Sequence, residues 1–221
     1  MLTFYHTPLS INSRRVWVAL LEKELPFEAV VMNLGGDQLQ PNFLSLNPFH
    51  HIPVLVDDDF PVIESFAILD YLEAKHPTPS LLAATPEDIA TMRMVEMVTV
   101  NELVPAINPL IKQMMGFGQD PEDVIEQAKQ KAGVVLRFYA DKLGDGPFFC
   151  GDQITLADVV AGTFAPWFGG LGLPMADYPT LQAWIDRLMT RPAWQTTQPT
   201  AEDLAAFRDR MQQRMAAQKP Q

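Results

Sequence analysis

The chain has 221 residues, 48% hydrophobic and 19% charged, a balance that supports a folded protein with ample core and argues against disorder. A formal net charge of −11 and a sequence pI near 4.7, with no cluster of Lys or Arg, argue against nucleic-acid binding. A single cysteine, Cys150, excludes an intramolecular disulfide and any CxxC redox pair, and fits a reducing, intracellular setting.

The N-terminus has no basic start followed by an apolar core, so no secretory signal is expected. Residues 159–176 carry no charge, but Gly162, Pro166, Gly169, Gly170, Gly172 and Pro174 interrupt them. A buried helix running into a turn is therefore expected there rather than a membrane span.

In chain order, residues 2–5 form an apolar and aromatic run that predicts a buried strand, ended by the turn-like His6-Thr7-Pro8. Residues 14–23 carry Val16, Trp17, Leu20 and Leu21 at helical spacing. Ser10, in the loop before that helix, can cap it; alternatively, its hydroxyl donates to a bound thiolate beside the helix N-terminus. A thiol titrates near about 8.5, and a donor and the helix dipole both favour the nucleophilic anion. Cys150 lies far from this loop in sequence, so the thiol would belong to a cosubstrate. A second strand at Ala29-Val30-Val31, a polar segment containing Gly35-Gly36 and a short helix near 42–46 follow.

The stretch 47–72 is the most informative. Val54-Leu55-Val56, the acidic turn Asp57-Asp58-Asp59 and Pro61-Val62-Ile63 predict a hairpin, after which Phe66, Ile68, Leu69 and Leu72 predict a helix. Ser65 stands where it can cap that helix, whose free first-turn amides seat a carboxylate. Glu64 offers an anion to an ammonium, so the pair suits an amino-acid head group. A cis peptide before Pro53 would expose the backbone of Ile52 to an extended peptide ligand.

Taken together, Asn-Pro, Ile-Pro-Val-Leu, an acidic turn, Glu-Ser and an amphipathic helix resemble the glutathione-binding half of the cytosolic glutathione transferases. The resemblance implies a thioredoxin-like α/β N-terminal domain of order βαβαββα, with glutathione as cosubstrate and no permanently bound cofactor. Ile52 beside a cis Pro53 would pair with the cysteinyl backbone, and Glu64 and Ser65 would hold the γ-glutamyl end. The run 10–16, Ser-Ile-Asn-Ser-Arg-Arg-Val, resembles the serine-type members of the theta, delta and phi classes, with the cyanobacterial chi class beside them, and implies Ser10 as the catalytic residue. Tyr5, the alternative in tyrosine-type classes, reads as the end of a strand. His50 and His51 fall in the loop where the resemblance implies contact with the glycine end of glutathione. Two positions depart from the pattern: Phe66 replaces a common Arg, and Gln38 a common His.

Pro77-Thr78-Pro79 ends the third helix and opens a linker, giving domains at 1–78 and 86–221 joined by 79–85. The second is expected to be all-helical. Thr85-Pro86-Glu87-Asp88 starts a helix that Pro105 and Pro109 should bend, and a second runs over about 121–143. Thr155 and Asp158 form a capping box before the next helix, a motif that also resembles the transferase C-terminal domain; Leu181, Trp184, Ile185 and Leu188 mark another helix, and 201–217 a last one. Cys150, beside Phe148 and Phe149, reads as a buried small hydrophobe. The four histidines show no metal-ligand spacing, so no metal is expected.

The function implied is conjugation of glutathione to small hydrophobic electrophiles, isothiocyanates or aryl halides among them, in a cytoplasmic homodimer with no membrane partner. Met114, Met115 and Phe117 are expected to line the electrophile pocket, with core packing as their competing role. A non-catalytic binding protein on the same fold, or a glutathione-dependent isomerase, is the alternative.

Overall fold

The computed structural model describes residues 1–217, with side chains described as far as Asp209. The chain forms two units, Met1–Leu82 with Arg191–Pro199, and Ala83–Thr190 with the residues from Thr200 onward.

In the first unit β1 (Leu2–His6), α1 (Ile11–Glu22), β2 (Phe27–Val31), α2 (Pro41–Leu44), β3 (Val54–Asp57), β4 (Phe60–Ile63) and α3 (Ser65–Lys75) follow in order. The sheet order is β2-β1-β3-β4, with β1 and β2 parallel and β3 antiparallel to both its neighbours. This is the expected thioredoxin-like arrangement. Alternation along β1 sends Leu2, Phe4 and His6 to one face and Tyr5 to the other. On the first face Phe4, Val16, Leu20, Leu55, Ile68 and Leu72 form a core between the sheet and helices α1 and α3. On the second, Met32, Phe43 and Val54 pack together with Tyr5. Tyr5 thus stands within the strand, its ring edge-on to Phe43 at 5.8 Å.

The second unit is helical: α4 (Pro86–Val98), α5 (Val104–Met114), α6 (Glu122–Leu143), α7 (Leu156–Gly162) and α8 (Pro179–Met189). The Thr85 hydroxyl caps α4, accepting from Asp88 N at 3.1 Å. The interruption predicted at Pro105 takes the form of a π-helical turn at Thr99–Leu103, immediately before α5. Pro109 lies inside α5. No helix among the described residues is long and apolar enough to cross a membrane, and 159–176 is the end of buried α7 followed by short 3-10 turns.

The chain then departs from the two blocks expected of it. Helix α9 (Pro192–Thr196) packs with the first unit, where Arg14 Nε donates to Thr197 Oγ1 at 3.2 Å and Arg191 forks onto Glu22 at 2.9 and 2.5 Å. Residues through Leu82 also belong to that unit: buried Lys23 donates to Glu73 Oε1 and to Pro79 O, both at 2.7 Å, and Glu73 accepts from Leu81 N at 3.2 Å. Helix α10 (Ala201–Ala217) returns to the second unit, where Phe207 meets Phe117 edge-on at 5.7 Å. The remaining positions of the expected second domain, 218–221, lie outside the described residues.

Asp158 organises the second unit. Fully buried at the start of α7, its carboxylate accepts from Thr155 N (2.9 Å), Thr155 Oγ1 (3.1 Å), Phe149 N (3.2 Å) and Trp184 Nε1 (2.9 Å), tying α7 to α8 and to the segment before it. Burial pushes this carboxyl up to about 6 from 3.8, against hydrogen bonds that favour the anion. The folded protein therefore holds that proton more tightly than the unfolded chain does. The resulting stabilisation is fully present below pH 3.8 and lost as pH rises through about 6. Asp158→Asn cannot titrate, so wild type should lose its advantage over that variant progressively across this window in urea melts. Asp158→Ala should lose about 3–5 kcal/mol at neutral pH, because it strands several buried donors at once.

Candidate functional site

β1 and β4 both run antiparallel to β3, and hence parallel to each other, so their C-terminal ends flank the N-terminal end of β3. The register fixes this, with Val54 beside Tyr5 on one side and Ile63 on the other. Three stretches distant in sequence therefore meet at one end of the sheet: the loop after β1 with Ser10, Ile52-Pro53 entering β3, and Glu64-Ser65 leaving β4. Two strand spacings separate β1 from β4, about 10 Å. An extended tripeptide spans about the same length.

Ser10 occupies the N-cap of α1, half-buried, and its Oγ accepts from Ser13 N at 3.2 Å. That bond uses an acceptor site of the hydroxyl and leaves its proton to be donated elsewhere. The expected cap and the expected donor are thus compatible roles of one side chain. Nearby, His6 is buried, stacked on Phe4 at 4.7 Å, and burial pulls its pKa down to about 4. It is neutral at physiological pH and supplies no acid there. The Cys150 thiol belongs to the second unit, is half-buried rather than fully buried, and donates to Asp88 O at 3.4 Å. Burial pushes it up to about 11, so it is a poor thiolate.

The Ile52-Pro53 peptide is cis, as expected. Among the described residues neither the amide nor the carbonyl of Ile52 bonds to protein, which leaves a peptide edge facing this end of the sheet. The loop before it is held by Asn47, a buried side chain whose Nδ2 donates to His51 O at 2.8 Å and whose Oδ1 accepts from Phe49 N at 3.0 Å. His50 and His51 are both exposed on this loop, with their rings edge to face at 5.4 Å.

One expectation is corrected at α3. Ser65 is not its cap but its first residue; Glu64 holds the cap position, at φ +66° and ψ +118°, and its side chain makes no capping bond. The chain leaves β4 at Ile63 and enters α3 at Ser65, so one residue must make the whole turn, and it does so in a conformation costly for a side chain with a Cβ. The first bond of α3 runs from Ile68 N to Glu64 O at 2.9 Å, leaving the amides of Ser65, Phe66 and Ala67 outside the helical ladder. Exposed Glu64 stands beside these amides, and Ser65 Oγ, 7% exposed in its residue, accepts from Arg15 Nη1 at 3.5 Å. An anion seat and a carboxylate therefore lie side by side.

Sequence reasoning assigned no role to Arg15 or Asn47. Arg15 was detectable as a charge within the buried stripe of α1, Asn47 as a polar side chain beside the proline turn. Gln38 folds back locally, accepting from Gly36 N at 3.1 Å. Met114, Met115 and Phe117 are half-buried in the second unit. Phe117 packs on Phe207, and Met114 lies against Gly170.

The comparisons with known proteins agree with this geometry. The pattern described as "Glutathione S-transferase, N-terminal domain" matches residues 4–80, and "Glutathione S-transferase, C-terminal domain" matches 89–192. Glutathione S-transferase F10 of Arabidopsis thaliana is 35% identical over 205 residues, covering 88% of this chain and 94% of that protein. Glutathione S-transferase 3 of Zea mays is 35% identical over 207 residues, covering 89% and 92%. The crystal structure of glutathione transferase F7 from Populus trichocarpa superposes with a TM-score of 0.77 at 30% identity, covering 92% of this chain and 99% of that one. With both halves matched and the thioredoxin-like sheet in place, the chain belongs to the glutathione S-transferase family and is a glutathione transferase.

Proposed function

We propose that this chain is a serine-type transferase that adds the glutathione thiolate to small hydrophobic electrophiles such as isothiocyanates or aryl halides, acting in detoxification in the cytoplasm. The observation that carries this reading is Ser10 at the N-cap of α1, its hydroxyl proton free to donate, on the same end of the sheet as the Ile52 peptide edge and Ser65. In this reading Ile52 pairs with the cysteinyl backbone beside Pro53, Glu64 takes the ammonium, Ser65 and the α3 amides take the γ-glutamyl carboxylate, and His50 and His51 flank the glycine end. Ser10 then donates to the sulfur, and with the α1 dipole favours the thiolate over the thiol. The remaining catalysis is proximity. Met114, Met115 and Phe117 serve as lining for the electrophile in this scheme, with packing as a second duty for Phe117.

A homodimer is part of the proposal. Its support is a mainly apolar groove of about 430 Å³ in the second unit, where Val98, Pro105, Val134, Val135 and Phe138 are joined by Asn101, Glu102 and Lys131, and Val134 is 56% exposed. Sedimentation velocity should give the mass of a dimer, and a Val134→Glu variant should shift the population towards monomer.

Ser10→Ala should lower kcat/KM about 10²- to 10³-fold and raise the pKa of bound glutathione seen by ultraviolet absorbance, with little change in Kd. Ser65→Ala should instead weaken glutathione binding about tenfold by calorimetry and leave the pKa of the bound thiol near its wild-type value. Parallel loss of both properties in each variant would overturn the division of roles. Glu64→Gly should separate stability from binding: relief of the positive φ should raise stability by about 1 kcal/mol in thermal melts, while glutathione affinity falls with the lost carboxylate.

A further inference from the structure

Phe66, one of the two positions that depart from the family pattern, touches a charge. The Arg15 guanidinium lies over its ring, Cζ 5.1 Å from the centroid, and Arg15 is 1% exposed. Arg15 Nη1 also reaches Ser65 Oγ at 3.5 Å. We infer that Arg15 is a positioning residue for the γ-glutamyl carboxylate, supplying from beneath α3 the positive charge that the sequence at position 66 lacks. This rests on the reading of Ser65 as a carboxylate ligand given above.

Hydrogen-bond polarity carries the inference. A guanidinium has donors and no acceptor, so in its contact with Ser65 the hydroxyl oxygen must accept. As the first residue of α3, Ser65 has no preceding helical carbonyl to which its own proton could be given. The proton is thereby directed to the surface, beside the amides of Ser65, Phe66 and Ala67, where it meets a carboxylate as a donor. Phe66 holds the guanidinium face-on and, half-buried, separates it from water, so the charge acts at a lower dielectric than an exposed Arg would. An aromatic residue at 66 is in this view a substitute for a cation there rather than a loss of one.

The test compares ligands by calorimetry, beginning with glutathione and the analogue γ-aminobutyryl-cysteinyl-glycine, which lacks only the γ-glutamyl α-carboxylate and keeps the ammonium. A third ligand, glutathione with that carboxylate converted to the amide, removes the charge while keeping the group's volume. Arg15→Gln should weaken glutathione roughly 10- to 100-fold while changing affinity for the amide and the γ-aminobutyryl analogue by less than about threefold. Arg15→Lys should recover part of the loss, and Arg15→Gln should add little in a Ser65→Ala background, because the two act on one bond. Phe66→Leu, which leaves every charge in place, carries the same test if the buried substitution unfolds the chain: it should reduce discrimination between glutathione and its amide about two- to fivefold. Equal weakening of all three ligands would show a scaffold role for Arg15 and overturn the inference alone. No binding of glutathione by wild type at millimolar concentration would overturn the underlying assignment of Ser65, and this inference with it.

Discussion

The pairing of β3 between β1 and β4 is the constraint on which the site depends. Its register is set by burial, because Phe4, Leu55, Ile68 and Leu72 fill one face of the sheet, and a slip of one residue would turn Leu55 outward. The same register brings the end of β1, the start of β3 and the end of β4 to one edge. Core packing and ligand geometry are thus one specification. The hydrophobic residues of the hairpin place Ile52 and Ser65 without touching anything that they would bind.

An acidic protein that binds an anionic tripeptide invites an electrostatic question. The net charge of −11 repels anions at long range, but beyond about 8 Å ordinary salt screens exposed charges from one another. Within that distance the relevant charges are different ones. The N-termini of α1 and α3 both open at this end of the sheet, and Arg15 is buried between their side chains at Ser65 and Phe66. Short-range dipoles and one shielded cation therefore dominate over the surface average.

Much of this was legible from the residues. The hairpin follows from two apolar runs around Asp57-Asp58-Asp59, and the α7 cap from Thr155 and Asp158 at capping-box spacing, because these signals are local. The fold and the family followed from their order. The Ser65 cap was placed one residue late, since spacing alone does not tell that the β4–α3 turn has room for a single residue at positive φ. Arg15 escaped notice because its meaning lies in a contact with Ser65 and Phe66, some fifty positions away, which helical periodicity does not encode. Residues 192–196 fall within the expected second domain, with no helix expected of them, for the same reason: so short a segment does not declare which core it joins.

That last segment bears on how the chain is made. The first unit is built from Met1–Leu82 and finished by Arg191–Pro199, so Trp194 and the partner of Arg14 at Thr197 emerge from synthesis after the intervening Ala83–Thr190. Until then buried Arg14 lacks its hydroxyl acceptor and Glu22 lacks its fork from Arg191. Completion of the N-terminal half is consequently a late, non-local event, with the loop-closure cost that such contacts carry. A chain cut after Leu82 would be an unfinished body rather than a separable module. The end of the sheet that carries Ser10 and Ile52 belongs to a unit whose last segment, 191–199, is translated more than a hundred residues after Leu82.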